Sequence, residues 1–269
     1  MMATRRRVSA RRKRPSGPFA RLLIAMRSMS RVTRAALLIG LVSLVLLAAL
    51  LARSCGGGDD KKSGGPNLLA NPGFEEGKEP WYSMESAGWG EPFEVSDTVA
   101  HSGQYSAHLS LRPPPQPNQH EVLGAVQSLT PSSFPEFLSG FYRVENWKRG
   151  TDTQYLQFVV IAILPENAGN IQIRYLLAGT ATEPFEIGNA KFVFVSKEEP
   201  KIGEWVHFER NVAEDFRQLW GRVPEKVQEL RVFFETRYDS PTAIQPDIGG
   251  DVYYDDLYVG TKADAPTYP

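Results

Sequence analysis

The sequence predicts an all-β fold: a jelly-roll β-sandwich of about ten strands with one short helix, preceded by a single N-terminal transmembrane or signal helix. Three observations predict it. Apolar and polar side chains alternate along Tyr105–Arg112, which is the period-2 pattern of a half-buried strand. Clusters of Gly, Pro, Asn and Asp separate a series of further strand-like runs. An unbroken apolar run, Ala35 to Ala52, precedes all of them.

The strand-like runs are each short, and each ends at residues that favour turns. So many of them in one segment indicate a sandwich of two sheets. The predicted strands are Phe93–Ser96, Tyr105–Leu111, Glu121–Leu129, Glu136–Val144, Tyr155–Leu164, Ile171–Ala178, Ala190–Val195, Trp205–Asn211, Leu230–Tyr238 and Val252–Val259.

One helix interrupts this pattern. Asn211 is a good N-cap, with Glu214 three residues later as its capping-box partner, and Gly221 supplies a C-terminal stop. The apolar stripe of this helix is predicted to pack on the core and to close one end or edge of the sandwich. Its members are Val212, Phe216, Leu219 and Trp220.

The apolar run has the length of a membrane-spanning helix, which needs about 17 to 25 residues. Arginines precede it and a Gly-, Asp- and Lys-rich segment follows it, so the chain after the run is expected outside the cytoplasm. The predicted organisation is a basic cytoplasmic leader (1–34), a transmembrane or signal-anchor helix (35–52), a flexible linker (53–66), the β-sandwich (67–260) and a tail (261–269).

Whether this helix is an anchor or a cleaved signal stays open. Cys55 follows a segment similar to a bacterial lipobox, but Arg53 departs from that pattern where a small residue is needed. Met26 and Met29 are alternative starts to Met1 and would leave a leader of ordinary signal length. Because Cys55 is the only cysteine, no intrachain disulfide can form. Each alternative exports the sandwich, to a bacterial periplasm or cell surface.

Charge is divided very unevenly along the chain. The first 54 residues carry 12 positive charges and no acid, and the formal net charge of the whole is −1, so the rest carries −13. An acidic body argues against nucleic acid as its partner.

Three motifs together resemble the calcium-containing jelly-roll carbohydrate-binding modules of the galactose-binding-like superfamily. They are Asn67-Leu-Leu-Ala-Asn-Pro-Gly-Phe-Glu75, Ala100-His-Ser-Gly-Gln-Tyr-Ser-Ala-His-Leu109 and Val252-Tyr-Tyr-Asp-Asp-Leu-Tyr-Val259. Their order and spacing match the family across residues 67–260. The resemblance implies a sandwich whose first and last strands meet, and binding of a polysaccharide or oligosaccharide without catalysis. The motifs belong to the scaffold, so they do not identify the glycan.

The resemblance also implies a structural Ca²⁺ held by an N-terminal Glu and an Asp of the last strand, which match Glu75 and Asp255 here. The turn at Ser102 is expected to add oxygen ligands, since Ca²⁺ takes about six to eight. Alternation along the last strand predicts that Asp255 faces the core with Leu257, while Tyr254 faces outward. The alternative is that the two carboxylates pair with arginines or cap backbone amides.

Sugar recognition needs exposed aromatic faces and fixed polar groups. The candidate ligand-binding residues are Trp81, Trp89, Arg143, Trp147, Arg174, Tyr175, Glu235 and Arg237. They combine aromatic rings near loops with charged side chains on predicted strands. The alternative interpretation is that the aromatics belong to the core and the charges form cross-strand surface pairs.

No catalytic residue is predicted, because the sequence contains no His-Glu-x-x-His, Gly-x-Ser-x-Gly or phosphate-binding loop pattern. Two other functions stay open. One is an interaction or assembly protein of the cell envelope that uses the same sandwich to bind a protein. The other, less favoured, is a β-sandwich polysaccharide lyase or hydrolase, which would need facing carboxylates or a Tyr/His/Arg set in one cleft.

Overall fold

The computed structural model describes residues 67–84, 92–113, 119–183, 188–239 and 247–268. The predicted apolar helix, Cys55, the linker and Trp89 lie outside these ranges. Within the described ranges, no helix has the length and apolarity needed to span a bilayer.

The described residues form two sheets that pack face to face. The six-stranded sheet has the order β1-β4-β10-β6-β7-β8, and the five-stranded sheet has the order β2-β3-β11-β5-β9. Neighbouring strands are antiparallel except for the parallel pair β7 and β8. The strands are β1 (Tyr82–Ser83), β2 (Glu94–Ser96), β3 (Ser106–Leu111), β4 (Glu121–Leu129), β5 (Phe137–Lys148), β6 (Gln154–Ile163), β7 (Asn170–Ala178), β8 (Ala190–Phe194), β9 (Trp205–Asn211), β10 (Glu229–Tyr238) and β11 (Gly249–Gly260).

The predicted sandwich is confirmed, and each of the ten predicted strands corresponds to one of these elements. Alternation explains why: Ala107, Leu109 and Leu111 of β3 are buried between the sheets, while the residues between them point away. The two-residue strand β1 is the only described strand that was not predicted. It is too short for its pattern to be recognised.

The core between the sheets is rich in aromatic rings. Phe74 packs against Trp81 at 5.7 Å and against Phe234 at 5.7 Å between ring centroids. Phe93 completes the cluster, 6.2 Å from Phe234. Each such ring stabilises the fold by about 1.5–3 kcal/mol through burial. These contacts join the N-terminal segment to both sheets.

The beginning and end of the sandwich meet, as the motif pattern predicts. The backbone N–H of Leu68 donates to the carbonyl of Val259 at 2.8 Å. The side chain of Asn67 donates to the carbonyl of Leu257 at 2.7 Å and accepts from the N–H of Val259 at 3.0 Å. The N-terminal segment is therefore fixed along β11.

The described helix, α1 (Val212–Trp220), begins and ends where predicted. Asn211 accepts a hydrogen bond from the N–H of Glu214 at 2.9 Å, and Gly221 adopts the left-handed conformation at φ 72°. Val212 and Phe216 are buried and the half-buried Trp220 packs against the core, whereas Leu219 is 37% exposed, so three of the four residues of the predicted apolar stripe contact the core.

Candidate functional site

A cluster of polar side chains lies on the outer face of the six-stranded sheet. Phe234 of β10 points into the core, so Glu235 points away from it. Gln157 of β6 lies directly opposite Glu235 in register and donates its side-chain amide to Glu235 Oε1. Arg237 Nη1 lies 3.4 Å from the same oxygen and Arg174 Nη1 lies 4.0 Å from it. Three strands thus direct three donors at one carboxylate. We call these four residues the polar cluster.

The polar cluster is buried although it lies outside the main core. Glu235 is 1% exposed, Gln157 0% and Arg174 9%. The side-chain oxygen of Gln157 accepts no hydrogen bond from any described residue. A buried acceptor without a donor costs about 1–3 kcal/mol. The accessible atoms of the polar cluster belong to its two arginines, whose side chains are 10% exposed for Arg174 and 20% exposed for Arg237.

Aromatic rings support the two arginines. The Arg174 guanidinium lies 6.0 Å from the ring centroid of Phe233, and that of Arg237 lies 5.8 Å from the ring of Tyr155. Burial raises the pKa of Tyr155 above its ordinary value, so its hydroxyl stays neutral. Burial alone would lower the pKa of Arg237, but the nearby Glu235 and Tyr155 and its partner Asp239 raise it overall. Arg237 therefore remains charged.

The charges around the polar cluster balance. Arg237 also donates to Asp239 through Nε at 3.0 Å, so two guanidinium groups face two carboxylates. Such a surface offers many donors and acceptors but little net charge. It therefore suits a neutral ligand rich in hydroxyl groups better than an ion.

Two of the predicted ligand-binding residues lie in the core instead. Trp81 is 3% exposed and packs between the sheets, where its indole N–H donates to the carbonyl of Asn71 at 3.0 Å. Tyr175 is fully buried on the core side of β7, opposite to Arg174. Neither ring presents a face to a surface ligand, because each completes the packing between the sheets.

Two others belong to the five-stranded sheet. Tyr142 and Val144 point into the core, so Arg143 lies on the outer face, where its Nη2 is 2.6 Å from Glu145 Oε1. The half-buried Trp147 donates its indole N–H to Glu199 at 3.0 Å. The predicted residues are therefore divided between two opposite surfaces, and only Arg174, Glu235 and Arg237 come together.

Gln157 is a member of the polar cluster that was not predicted. It is the only polar side chain between Tyr155 and Ile163, and that isolation within an apolar strand is the signal that would have identified it. A lone amide in such a run needs a partner when it is buried.

Two acidic side chains, Glu75 and Asp255, contact the loop 101–105. Glu75 Oε1 accepts the backbone N–H groups of Gln104 at 2.9 Å and Tyr105 at 3.0 Å. Asp255 Oδ2 accepts that of His101 at 2.7 Å and that of Ser102 at 3.2 Å. Both carboxylates thus cap backbone amides of one loop, which is the alternative to a calcium site that the sequence left open. We call these two residues and the loop the carboxylate site.

Gly73 lies beside the carboxylate site. A Cβ atom at Gly73 would lie 3.4 Å from Asp255 Oδ1, 4.0 Å from Asp256 Oδ1 and 4.0 Å from Glu75 Cγ, which are ordinary van der Waals distances. The side chains of Asp255 and Glu75 thus both approach Gly73.

The predicted direction of Asp255 is wrong. Tyr254 points into the core, where its hydroxyl donates to the carbonyl of Glu235 at 3.0 Å, so Asp255 lies on the outer side beneath the loop. The register shifts between Asp255 and Tyr258, and Asp256 adopts φ 49°. This irregularity returns Leu257 to the core side, so simple alternation fails here.

Asp255 is a buried carboxylate without a cationic partner among the described residues. Burial and the neighbouring charge of Asp256 raise its pKa to about 7, although amides of His101, Ser102 and Asp256 lower it in part. A buried carboxylate needs compensation to stay ionised at neutral pH. A cation beside it would provide that compensation.

The donors here fit a hard cation only in part. Within the described ranges, no group of three or more His, Cys, Asp and Glu side chains has an arrangement that could hold a metal. Ser102 lies in the turn whose backbone oxygens were expected to complete the metal site, and its hydroxyl donates to Asp256 at 2.6 Å. Two carboxylates remain, and carboxylate oxygens are ligands of Ca²⁺.

Comparisons with known proteins give structural similarities only. No protein-family model and no curated protein matches the chain. The chain is similar to TmCBM61 in complex with β-1,4-galactotriose, at TM-score 0.40 and 13% identity over 72% of this chain and 97% of that one. It is also similar to the CBM22-1 xylan-binding domain from Paenibacillus barcinonensis Xyn10C, at TM-score 0.40 and 16% identity, covering 74% and 96%.

A third similarity is to an enzyme. The enzymatically active domain of tailspike protein 4 from bacteriophage CBA120 matches at TM-score 0.37 and 11% identity, over 72% of this chain but 21% of that one. At these identities and TM-scores the likenesses decide nothing about ligand or activity. The functional conclusion therefore rests on the side chains of this chain.

Proposed function

We propose that the sandwich binds a polysaccharide or oligosaccharide, without catalysis, at the polar cluster on the outer face of the six-stranded sheet. In this proposal it is a jelly-roll module of the galactose-binding-like kind. The observation that carries the proposal is the buried group of Gln157, Arg174, Glu235 and Arg237, in which one acceptor has no donor among the described residues.

The chemistry of the cluster supports a sugar over other ligands. A sugar hydroxyl both donates and accepts, so one hydroxyl can donate to a side-chain oxygen and accept from a guanidinium at once. Glu235 and Gln157 supply acceptors, and Arg174 and Arg237 supply donors in fixed directions. The balanced charge disfavours anionic or cationic ligands. Because the arginines are supported by Phe233 and Tyr155, little side-chain freedom would be lost on binding.

A structural Ca²⁺ forms the second part of the proposal. Glu75 and Asp255 would hold it, with backbone oxygens of the loop 101–105 and the turn at Ser102. The ion would supply positive charge next to the buried Asp255 carboxylate. Any ligand that binds only the folded state stabilises it by mass action. The support is the buried Asp255, the approach of Asp255 and Glu75 to Gly73 and the contacts of both acids with one loop.

The third part concerns location. The apolar run 35–52 would tether the sandwich to the membrane, or act as its export signal, with residues 67–260 outside the cytoplasm of a bacterial cell. The proposal rests on the length of the run, its arginine-rich flank and the acidic segment that follows. In this location the bound glycan would belong to the cell envelope or to its surroundings.

Calorimetric titration of the full-length chain against plant, algal and bacterial oligosaccharides tests the proposal. We expect saturable binding to at least one glycan, with no release of reducing or unsaturated products after long incubation. No heat from any glycan would contradict sugar binding and favour a protein partner in the envelope. Product release would contradict the non-catalytic part and favour a lyase or hydrolase.

A further inference from the structure

The chain after β11 folds back over the outer face of the five-stranded sheet. The Tyr258 hydroxyl donates to the carbonyl of Thr261 at 2.9 Å, and the backbone N–H of Lys262 donates to Glu136 at 3.1 Å. The Lys262 ammonium lies 3.7 Å from the ring centroid of Phe137. These contacts fix the beginning of the segment 261–268, which we call the tail.

The end of the tail is fixed by aromatic packing. The ring of Tyr268 lies 4.6 Å from that of Phe141, edge to face at 86°. It also lies 5.2 Å from the ring of His207 and 6.2 Å from that of His101. Phe141 is buried although it is on the outer side of β5, where Tyr268 and His101 pack against it. The tail is thus attached at both of its ends.

His101 connects this aromatic group to the carboxylate site. Its ring stacks on Phe141 at 3.6 Å and 17°, and its Nδ1 lies 2.6 Å from Asp256 Oδ2. Asp255 Oδ2 accepts two backbone hydrogen bonds, and the one from the N–H of His101 is the shorter. One residue therefore contacts the tail on one side and the acidic pair of β11 on the other.

Tyr268 reaches the loop 101–105 through its ring contact with His101, the residue whose backbone N–H donates to Asp255.

We propose that Tyr268 is a positioning residue: its ring holds His101 and the loop 101–105 in the geometry that gives the carboxylate site its affinity for Ca²⁺. This inference rests on the proposed calcium. Without the ring, Phe141 and His101 lose a packing partner, and the loop must be ordered when the ion binds. Ordering a loop on binding reduces affinity, because its lost conformational freedom opposes association.

The test measures the Ca²⁺ affinity of the full-length chain by calorimetry after removal of metal with EDTA. Tyr268→Ala should weaken binding about tenfold, which corresponds to the ordering of one or two residues. Tyr268→Phe keeps the ring and should remain close to wild type. Tyr253→Ala is the matched control, since Tyr253 is also a half-buried tyrosine on this outer face, stacked on His108 at 4.6 Å. It should bind Ca²⁺ as wild type does.

Each outcome decides between the two proposals. If wild type binds Ca²⁺ and Tyr268→Ala binds equally well, the role of Tyr268 is wrong and the calcium stands. If wild type binds no Ca²⁺, both are wrong. If Tyr253→Ala weakens binding as much as Tyr268→Ala, the effect is a general one of aromatic loss and the role of Tyr268 is again wrong. Melting curves in EDTA check that each variant folds.

Discussion

Gly103 lies so close to Glu75 that no side chain fits between them. A Cβ atom at Gly103 would be 2.2 Å from Glu75 Oε1, and Gly103 has φ +64°. The absence of a side chain allows the carboxylate to reach the backbone N–H groups of the next two residues, Gln104 and Tyr105. Glycine is therefore required at this turn for two independent reasons, conformation and space.

Gly103→Ala should lower stability and displace the Glu75 carboxylate. The left-handed backbone alone costs about 1–2 kcal/mol for a residue with a Cβ. Two hydrogen bonds to a charged acceptor are lost in addition, each worth about 1.5 kcal/mol or more. Gly77→Ala is the control, because Gly77 has φ +86° with nothing within 4 Å of its Cβ position. Urea unfolding in EDTA should show the larger loss for Gly103→Ala; equal losses would contradict the role of Glu75.

Asp255 should make the metal-free protein less stable as the pH rises. Its pKa is about 7 in the folded state against an ordinary 3.8, so the folded state binds the proton more tightly. The contribution of Asp255 to the free energy of unfolding is fully present below pH 3.8 and is lost as the pH rises through about 7. A pKa difference of this size between the folded and unfolded states corresponds to about 4 kcal/mol at most.

The measurement for Asp255 is the free energy of unfolding between pH 4 and pH 8, in EDTA and in Ca²⁺, for wild type and Asp255→Asn. Subtracting the variant from wild type removes the contributions of other acids to the pH dependence, such as that of Asp251, whose pKa is lowered. The difference, wild type minus variant, should fall with rising pH in EDTA and change less in Ca²⁺. A difference that rises with pH in EDTA would mean that the Asp255 carboxylate is stabilised without an ion.

Tyr254 and Tyr175 allow a comparison of how much a buried tyrosine hydroxyl contributes to stability. The Tyr254 hydroxyl donates to the carbonyl of Glu235 at 3.0 Å, whereas the buried Tyr175 hydroxyl lies beside the Asp215 carboxylate without a well-formed hydrogen bond to the described residues. Tyr254→Phe should therefore cost about 1–1.5 kcal/mol, and Tyr175→Phe should cost less. Thermal unfolding compares the two variants. A larger loss for Tyr175→Phe would show that its hydroxyl donates to Asp215.

Local patterns in the sequence predicted the elements well. Period-2 alternation located β3, and Asn211 with Gly221 fixed both ends of α1, because each signal depends only on neighbours in the chain. The face of a sheet on which each side chain lies was harder to predict. The shift after Asp255 reverses the alternation of β11, and no residue type around it indicates an irregular pair.

The candidate site was predicted only in part, for a related reason. Arg174, Glu235 and Arg237 converge because β7, β6 and β10 are neighbours in one sheet, and this order does not follow the order along the chain. Arg143 has the same chemistry but belongs to the other sheet. Trp81 resembled an exposed ring because it lies in an irregular segment, yet it packs in the space between the sheets.

Calorimetric titration of Glu235→Gln with the glycan that wild type binds most tightly is the most direct test of the sugar site. Glu145→Gln is the matched control, because Glu145 also pairs with an arginine on an outer sheet face, but on the five-stranded sheet. We predict that Glu235→Gln weakens binding at least about tenfold, since hydrogen bonds to a charged group contribute roughly 1.5–3 kcal/mol, while Glu145→Gln binds as wild type does. Unchanged affinity in a folded Glu235→Gln variant, or loss in Glu145→Gln instead, would contradict a sugar site at the polar cluster.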